Sequence, residues 1–132
     1  MIVIFISIFI FILVLPQVNQ VEMHPLFPQA ALRRLCAARG VLLQSYAPLG
    51  SREGRARLAA HSAVARAARA AGAAPEAVLL AWAAARADAV VVGSTDERHL
   101  EANLRAARLE SLPRPAPRQR EGEKRWILWG AA

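Results

Sequence analysis

The chain has 132 residues, 55% hydrophobic and 20% charged, and its sixteen Arg and one Lys outweigh ten acids to leave a net charge of +7. That length holds one domain, and the composition excludes a disordered chain. A single cysteine, Cys36, excludes an intrachain disulfide and a cysteine-based zinc site. The arginines are spread along expected helices and the tail, without aromatic interleaving or a nucleic-acid motif. They read as solvated helix faces and not as a nucleic-acid interface.

Residues 1–15 form an uncharged run dominated by Ile and Phe and closed by Pro16. The run is shorter than the roughly 20 residues that span a bilayer as a helix, and it lacks the basic flank and cleavage site of a secretory signal. Two readings stay open: a membrane anchor on a basic chain, or a junction foreign to the fold, because everything after Pro16 is rich in Ala and Arg. Residues 17–22 read as a strand whose alternation sets Val18, Gln20 and Glu22 on one side. His24 has only Glu22 as a near acidic neighbour, so it reads as a structural hydrogen-bonding histidine and not as a metal ligand.

Pro28 is expected to open a helix to Arg39, with Leu32, Leu35 and Cys36 inward and Gly40 as C-cap. The run 41–46 predicts a parallel strand buried on both sides and ends in Tyr46, the only tyrosine. Residues 50–60 read as a polar, Arg-bearing loop. Two helices come next, one over 62–71 closed by Gly72, and one over 75–86 opened by Pro75 and buried along Val78, Leu79 and Trp82. Residues 89–92 predict a short buried strand. Gly93 and Ser94 then break it, and from Asp96 onward Leu100, Leu104 and Ala107 predict the inner face of a helix. Ser94 followed three residues later by Glu97 is a capping-box pattern, and the free amides of such a helix start attract anions, phosphates above all. After Leu112, Pro113, Pro115 and Pro117 with Arg114, Arg118 and Arg120 make an extended basic tail. Trp126, Ile127 and Trp129 are apolar residues that dock on the body or on a partner. The chain thus divides into a hydrophobic segment 1–16, a body 17–112 and a tail 113–132.

Val-Asn-Gln-Val-Glu-Met-His-Pro (18–25), Ser-Tyr-Ala-Pro-Leu-Gly (45–50) and Gly-Ser-Thr-Asp-Glu-Arg-His-Leu-Glu-Ala-Asn-Leu (93–104), in this order and separation, closely resemble the C-terminal half of the aldo-keto reductases. The resemblance runs from about Gln17 to Leu112. It implies an α/β fold, an incomplete TIM (β/α)8 barrel corresponding to strands 6–8 and their helices, and a phosphate site after the last strands. It also implies NADP(H) as cofactor. By this resemblance Gln20 faces the nicotinamide end, Tyr46 stacks on the nicotinamide, and Leu49 and Ser51 line the loop over the pyrophosphate. Ser94 and Thr95 are donors to the adenosine 2′-phosphate, His99 stands in the place of a common Arg, and Asn103 contacts the adenine. Gly93 departs from the pattern, standing where many members have a phosphate-pairing Lys.

Carbonyl reduction in that family joins hydride delivery from NADPH to a Tyr proton donor tuned by a Lys and an Asp, with a His that orients the carbonyl. All four lie in the family's N-terminal half, before the stretch matched here. In this chain Tyr46 is already assigned to stacking and the only Lys is Lys124, in the tail. The expectation is therefore the NADP(H)-binding portion of an oxidoreductase of aldehydes and ketones, with no catalytic residue and no metal of its own. It would be cytoplasmic like the family, and self-association or a complementing chain would cover the open strand edges that three strands leave. The reading from another class is a membrane-anchored, non-enzymatic interaction protein.

Overall fold

The computed structural model describes residues 16–109 and the backbone of 126–129; the run 1–15 and most of the tail, with the anchor and tail readings attached to them, lie outside the described residues. Four strands form one sheet in the order β1 (Val18–Glu22), β2 (Leu42–Tyr46), β3 (Ala89–Val92) and β4 (Trp126–Trp129). All three pairings are parallel, with Gln20 level with Gln44, Glu22 with Tyr46, Ser45 with Val90, and Val90 with Ile127. The sequence predicts three strands; the fourth extends the sheet past β3. Among the described residues no helix is long and apolar enough to cross a membrane.

Parallel strands need crossovers, and these are supplied by α1 (Ala30–Arg39) between β1 and β2, and by α2 (Arg55–Ala59), α3 (Ser62–Ala71) and α4 (Pro75–Ala84) between β2 and β3. α5 (Glu97–Ala107) comes after β3. The helices cover one sheet face. There Val21, Leu43 and Val90 pack with Met23, Cys36, Leu32, Ala83 and Trp82. The opposite face carries Val18, Gln20, Gln44 and Tyr46; Val18 and Tyr46 are 45% and 40% exposed. β2 is thus buried on its helix side, at Leu43 and Ser45, and half-open on the other, which corrects the expectation of burial on both sides.

Several helix details depart from the sequence reading. α1 starts at Ala30, not Pro28, because Gln29 adopts a left-handed conformation (φ 51°) and its side-chain amide donates to the Glu22 carbonyl at 3.0 Å. Leu35 is exposed while Leu32 and Cys36 face the core. Gly40 and Gly72 both end their helices in the left-handed region, with the paired amide-to-carbonyl bonds that favour glycine there. The expected polar loop 50–60 contains α2, whose Leu58 is 1% exposed and packs with Val64 and Leu79. Burying such a side chain contributes about 2 kcal/mol, enough to order a short helix between arginines. α4 ends at Ala84 and is buried almost all round, at Val78, Leu79, Leu80, Ala81 and Ala83, with Trp82 only half-buried. The Arg86 guanidinium lies 4.6 Å over the Trp82 ring. Burial, and then the nearby Arg33 guanidinium, hold its pKa below the usual arginine value.

The β2–β3 pairing is extended by Asp88, whose amide donates to the Leu43 carbonyl at 2.9 Å while its carboxylate accepts the Leu43 amide at 2.7 Å. Leu43 is fully buried, so its amide has no access to water in exchange. Asp88→Ala is expected to lower unfolding free energy by about 1–3 kcal/mol, and Asp88→Asn by less, because an amide oxygen still accepts. Urea denaturation at constant m-value measures this; equal stability of Asp88→Ala and the parent would remove the clamp.

Candidate functional site

Because β1, β2 and β3 run parallel, their C-terminal ends form one rim, and the segments 23–28, 47–54 and 93–96 all leave from it. Two hydrogen bonds tie the rim between β1 and β2. The Met23 amide donates to the Tyr46 carbonyl at 3.2 Å, and the buried Ser45 hydroxyl donates to the Met23 carbonyl at 3.0 Å. Met23 and Ser45 are both fully buried. They fix where Tyr46 stands, and the sequence motifs assign them no part.

Gln20 and Tyr46 lie on the same open sheet face, two rungs apart on neighbouring strands. Glu22, level with Tyr46, completes that row, and its carboxylate approaches His24 Nε2 at 3.5 Å. His24 Nδ1 is buried without a hydrogen-bond partner. His24 thus makes the structural contact expected of it on one nitrogen only. Leu26 and Phe27, about half exposed, sit on the loop beyond.

Immediately after Tyr46 the backbone turns through Ala47 at φ 46°, a left-handed conformation that costs a non-glycine residue about 1 kcal/mol. The Gly50 amide closes this turn onto the Ala47 carbonyl at 2.9 Å. Leu49, expected at the pyrophosphate, packs into two core clusters, one with Leu58, Val64 and Leu79 and one with Leu80, Val92 and Ala106. Ser51 is exposed, and its carbonyl accepts the Gly54 and Arg55 amides at 3.0 and 2.9 Å.

At the third strand end, the N-cap of α5 is Asp96 and not Ser94, a correction to the capping-box reading. The Asp96 carboxylate accepts the Arg98 amide at 2.8 Å and pairs with the Arg98 guanidinium at 3.2 Å. These Arg98 contacts, side chain first, hold the Asp96 carboxyl below the usual carboxylate range. The Ser94 hydroxyl accepts the Asp96 amide at 3.1 Å and donates to the Asp96 carbonyl at 3.3 Å, so it builds the turn that delivers the cap. Thr95, Arg98 and His99 are exposed around this helix start. One turn on, Asn103 is buried to 8% exposure beside Ala106, while Leu104 is 49% exposed. The inner face of α5 therefore runs through Asn103 and Ala106, rotated from the expected one by a residue.

The rim accordingly gathers Tyr46 and the Ser94–His99 segment at one end of the sheet; Gln20 shares the face of Tyr46 two rungs below it, level with Ala89 at the start of β3, while Leu49 packs half-buried against two core clusters and Asn103 turns inward. Comparison with known proteins gives this arrangement a lineage. The Aldo/keto reductase family model matches residues 14–114. An aldo-keto reductase of Mycobacterium sp. (strain MCS) is 38% identical over 89 residues, 67% of this chain and 30% of that protein. One of Mycobacterium marinum is 41% identical over 91 residues, 69% and 31%, and aldehyde reductase YPR1 of Saccharomyces cerevisiae is 30% identical over 92 residues, 70% and 29%. The chain thus spans about 30% of the length of the curated relatives it matches. With the family match covering well over half of its residues, the chain belongs to the aldo/keto reductase family, whose fold is the TIM barrel.

Proposed function

We propose that β1, β2 and β3 are the sixth, seventh and eighth strands of an aldo-keto reductase barrel and that their shared rim holds NADP(H). The observation that carries this reading is the placement of Gln20 and Tyr46 on one open sheet face, with Tyr46 at the end from which the β3–α5 turn also leaves and Gln20 two rungs below it. Bound there, NADPH would bring hydride-donor chemistry for the reduction of an aldehyde or ketone. Tyr46, 40% exposed, offers a ring face for stacking on the nicotinamide, and Gln20 offers an amide on the same face for its carboxamide. The exposed Ser51 and Thr95 hydroxyls are donors for the phosphates.

The fit at the phosphate end is partial. The Arg98 charge is engaged by Asp96, and Ser94 spends its hydrogen on the Asp96 carbonyl. A 2′-phosphate must therefore compete with a resident carboxylate, and His99 and Thr95 remain as its open partners. For proton transfer the chain holds one Tyr and one Lys, Tyr46 and Lys124. With Tyr46 in the stacking role, no Tyr–Lys pair is left to protonate a carbonyl oxygen. The reading is thus of a cytoplasmic cofactor-binding portion that turns over substrate only when the proton donor comes from outside these 132 residues.

Isothermal titration with NADPH is expected to show saturable binding that Tyr46→Ala weakens about tenfold, the value of one lost aromatic stack. NADPH oxidation with an aromatic aldehyde should stay at background. Equal binding by Tyr46→Ala would sink the stacking role, and steady turnover by the purified monomer would sink the non-catalytic reading. Asp96→Asn keeps an oxygen to cap α5 but removes the charge. Its expected effect is about a two- to fivefold gain in NADPH affinity with NADH unchanged; an equal change for both cofactors would place the 2′-phosphate elsewhere.

A further inference from the structure

The row formed by the ends of β1 and β2 holds one acid. Glu22 is level with Tyr46, and strand alternation sets it on the same open face as Gln20. Residues level on neighbouring strands lie about 5 Å apart, so a group stacked on Tyr46 has the Glu22 side chain beside it.

The Glu22 carboxylate differs from the other acids that form ion pairs. Asp96 and Glu101 each hold an arginine, at 3.2 and 2.8 Å, whereas among the described residues no Arg or Lys pairs with Glu22. Its charged contact is His24 Nε2 at 3.5 Å, longer than the roughly 2.7–3.2 Å of an ordinary N–H···O bond. The side chain is 35% exposed, so its field reaches a neighbour without the full screening of water. The backbone beneath it is also held. The Gln29 side-chain amide donates to the Glu22 carbonyl at 3.0 Å, and the next amide, that of Met23, donates to the Tyr46 carbonyl at 3.2 Å.

A nicotinamide ring is neutral in NADPH and positively charged in NADP+, while the phosphates, riboses and adenine are common to both. We propose that Glu22 makes the rim discriminate between the two forms, its carboxylate attracting the cationic ring of NADP+ and adding nothing for the neutral ring of NADPH. The inference rests on the stacking role of Tyr46 and goes beyond it. Tyr46 offers its ring face to either form, whereas Glu22 reads the charge. Partial exposure limits the effect to several fold.

Isothermal titration of the full chain with NADP+ and with NADPH gives the ratio of the two dissociation constants without any turnover. Glu22→Gln keeps the size and hydrogen-bonding capacity of the side chain. It is expected to weaken NADP+ by at least about threefold, with NADPH changed by less than about twofold. Glu22→Asp keeps the charge and should stay closer to the parent ratio than Glu22→Gln does. Glu101→Gln removes an equal charge from the exposed Glu101–Arg105 pair of α5, and it should leave the ratio as it is. The parent gives a readout that needs no variant. Added salt screens the phosphate contacts of both forms alike, so the advantage of NADP+ that Glu22 supplies should shrink as salt rises. A ratio that Glu22→Gln leaves unchanged, that Glu101→Gln or Glu22→Asp moves as far, or that salt does not alter would overturn the inference and leave the cofactor site standing. Failure of both forms to bind the parent would sink the cofactor reading, and the inference with it.

Discussion

Parallel pairing is the constraint on which the site depends. A parallel strand cannot return through a tight turn; the chain must cross back over a helix layer before the next strand begins. Every segment that leaves a strand end therefore leaves from the same rim. Residues separated by about 70 positions, such as Glu22 and Ser94, come to one end of the sheet by that rule alone. The register adds the finer placement. With Glu22 level with Tyr46, Gln20 and Tyr46 necessarily share a face, while Val21 and Ser45 point to the helices. A slip of one residue would exchange the two sets and put polar Gln20 in the core.

That register is held from both sides of β2. At its start, Asp88 takes the place of a strand residue and satisfies both the amide and the carbonyl of Leu43. At its end, the Ser45 hydroxyl and the Tyr46 carbonyl bond to Met23. The left-handed Ala47 next to this junction is sustained by the two residues after it, because Pro48 is buried and Leu49 is wedged between two core clusters. Strain at one residue persists when its neighbours over-determine the path. Leu49 supplies that determination whatever it also contacts at the rim.

Strands and crossovers were legible because their signals are periodic over several residues. Val18–Glu22 alternates, Ala89–Val92 is an unbroken apolar run, and Ser62–Ala71 lies between a capping position and Gly72. The misses are short or depend on contact. α2 has a single buried apolar residue, Leu58, and one residue carries no period. Cap identity at α5 turned on whether Ser94 or Asp96 reaches the first free amide, and both residue types favour that position. The inner face of α5 went to Asn103 and Ala106 over Leu104, and Ala106 packs with Leu80 of α4 and Val92 of β3. At the site, the resemblance named Tyr46 and Gln20, which stand out on the open face. It gave no weight to Met23, Ser45 and Asp88, whose roles are hydrogen bonds to backbone across 22 to 45 residues of sequence.

The start of α5 is capped from within the chain, and the proposed phosphate would have to meet that cap. Asp96 stabilises the helix by accepting the Arg98 amide, and its depressed pKa gives the sign of the pH dependence. The contribution is present in full above the ordinary aspartate pKa of about 3.9 and is lost as pH falls through the lower, folded-state value. Near neutral pH, then, the carboxylate is ionised and occupies part of the positive field that an incoming phosphate would use. Its partner Arg98 is nine-tenths exposed in its side chain, so the pair is held only weakly against solvent and salt. A dianionic phosphate arriving beside it offers the guanidinium a stronger, bidentate partner. The cap itself rests on the shorter contact, the Arg98 amide to Asp96 Oδ1 at 2.8 Å, while the guanidinium reaches Oδ1 at 3.5 Å and Oδ2 at 3.2 Å, so losing the side-chain pair would leave the amide contact in place.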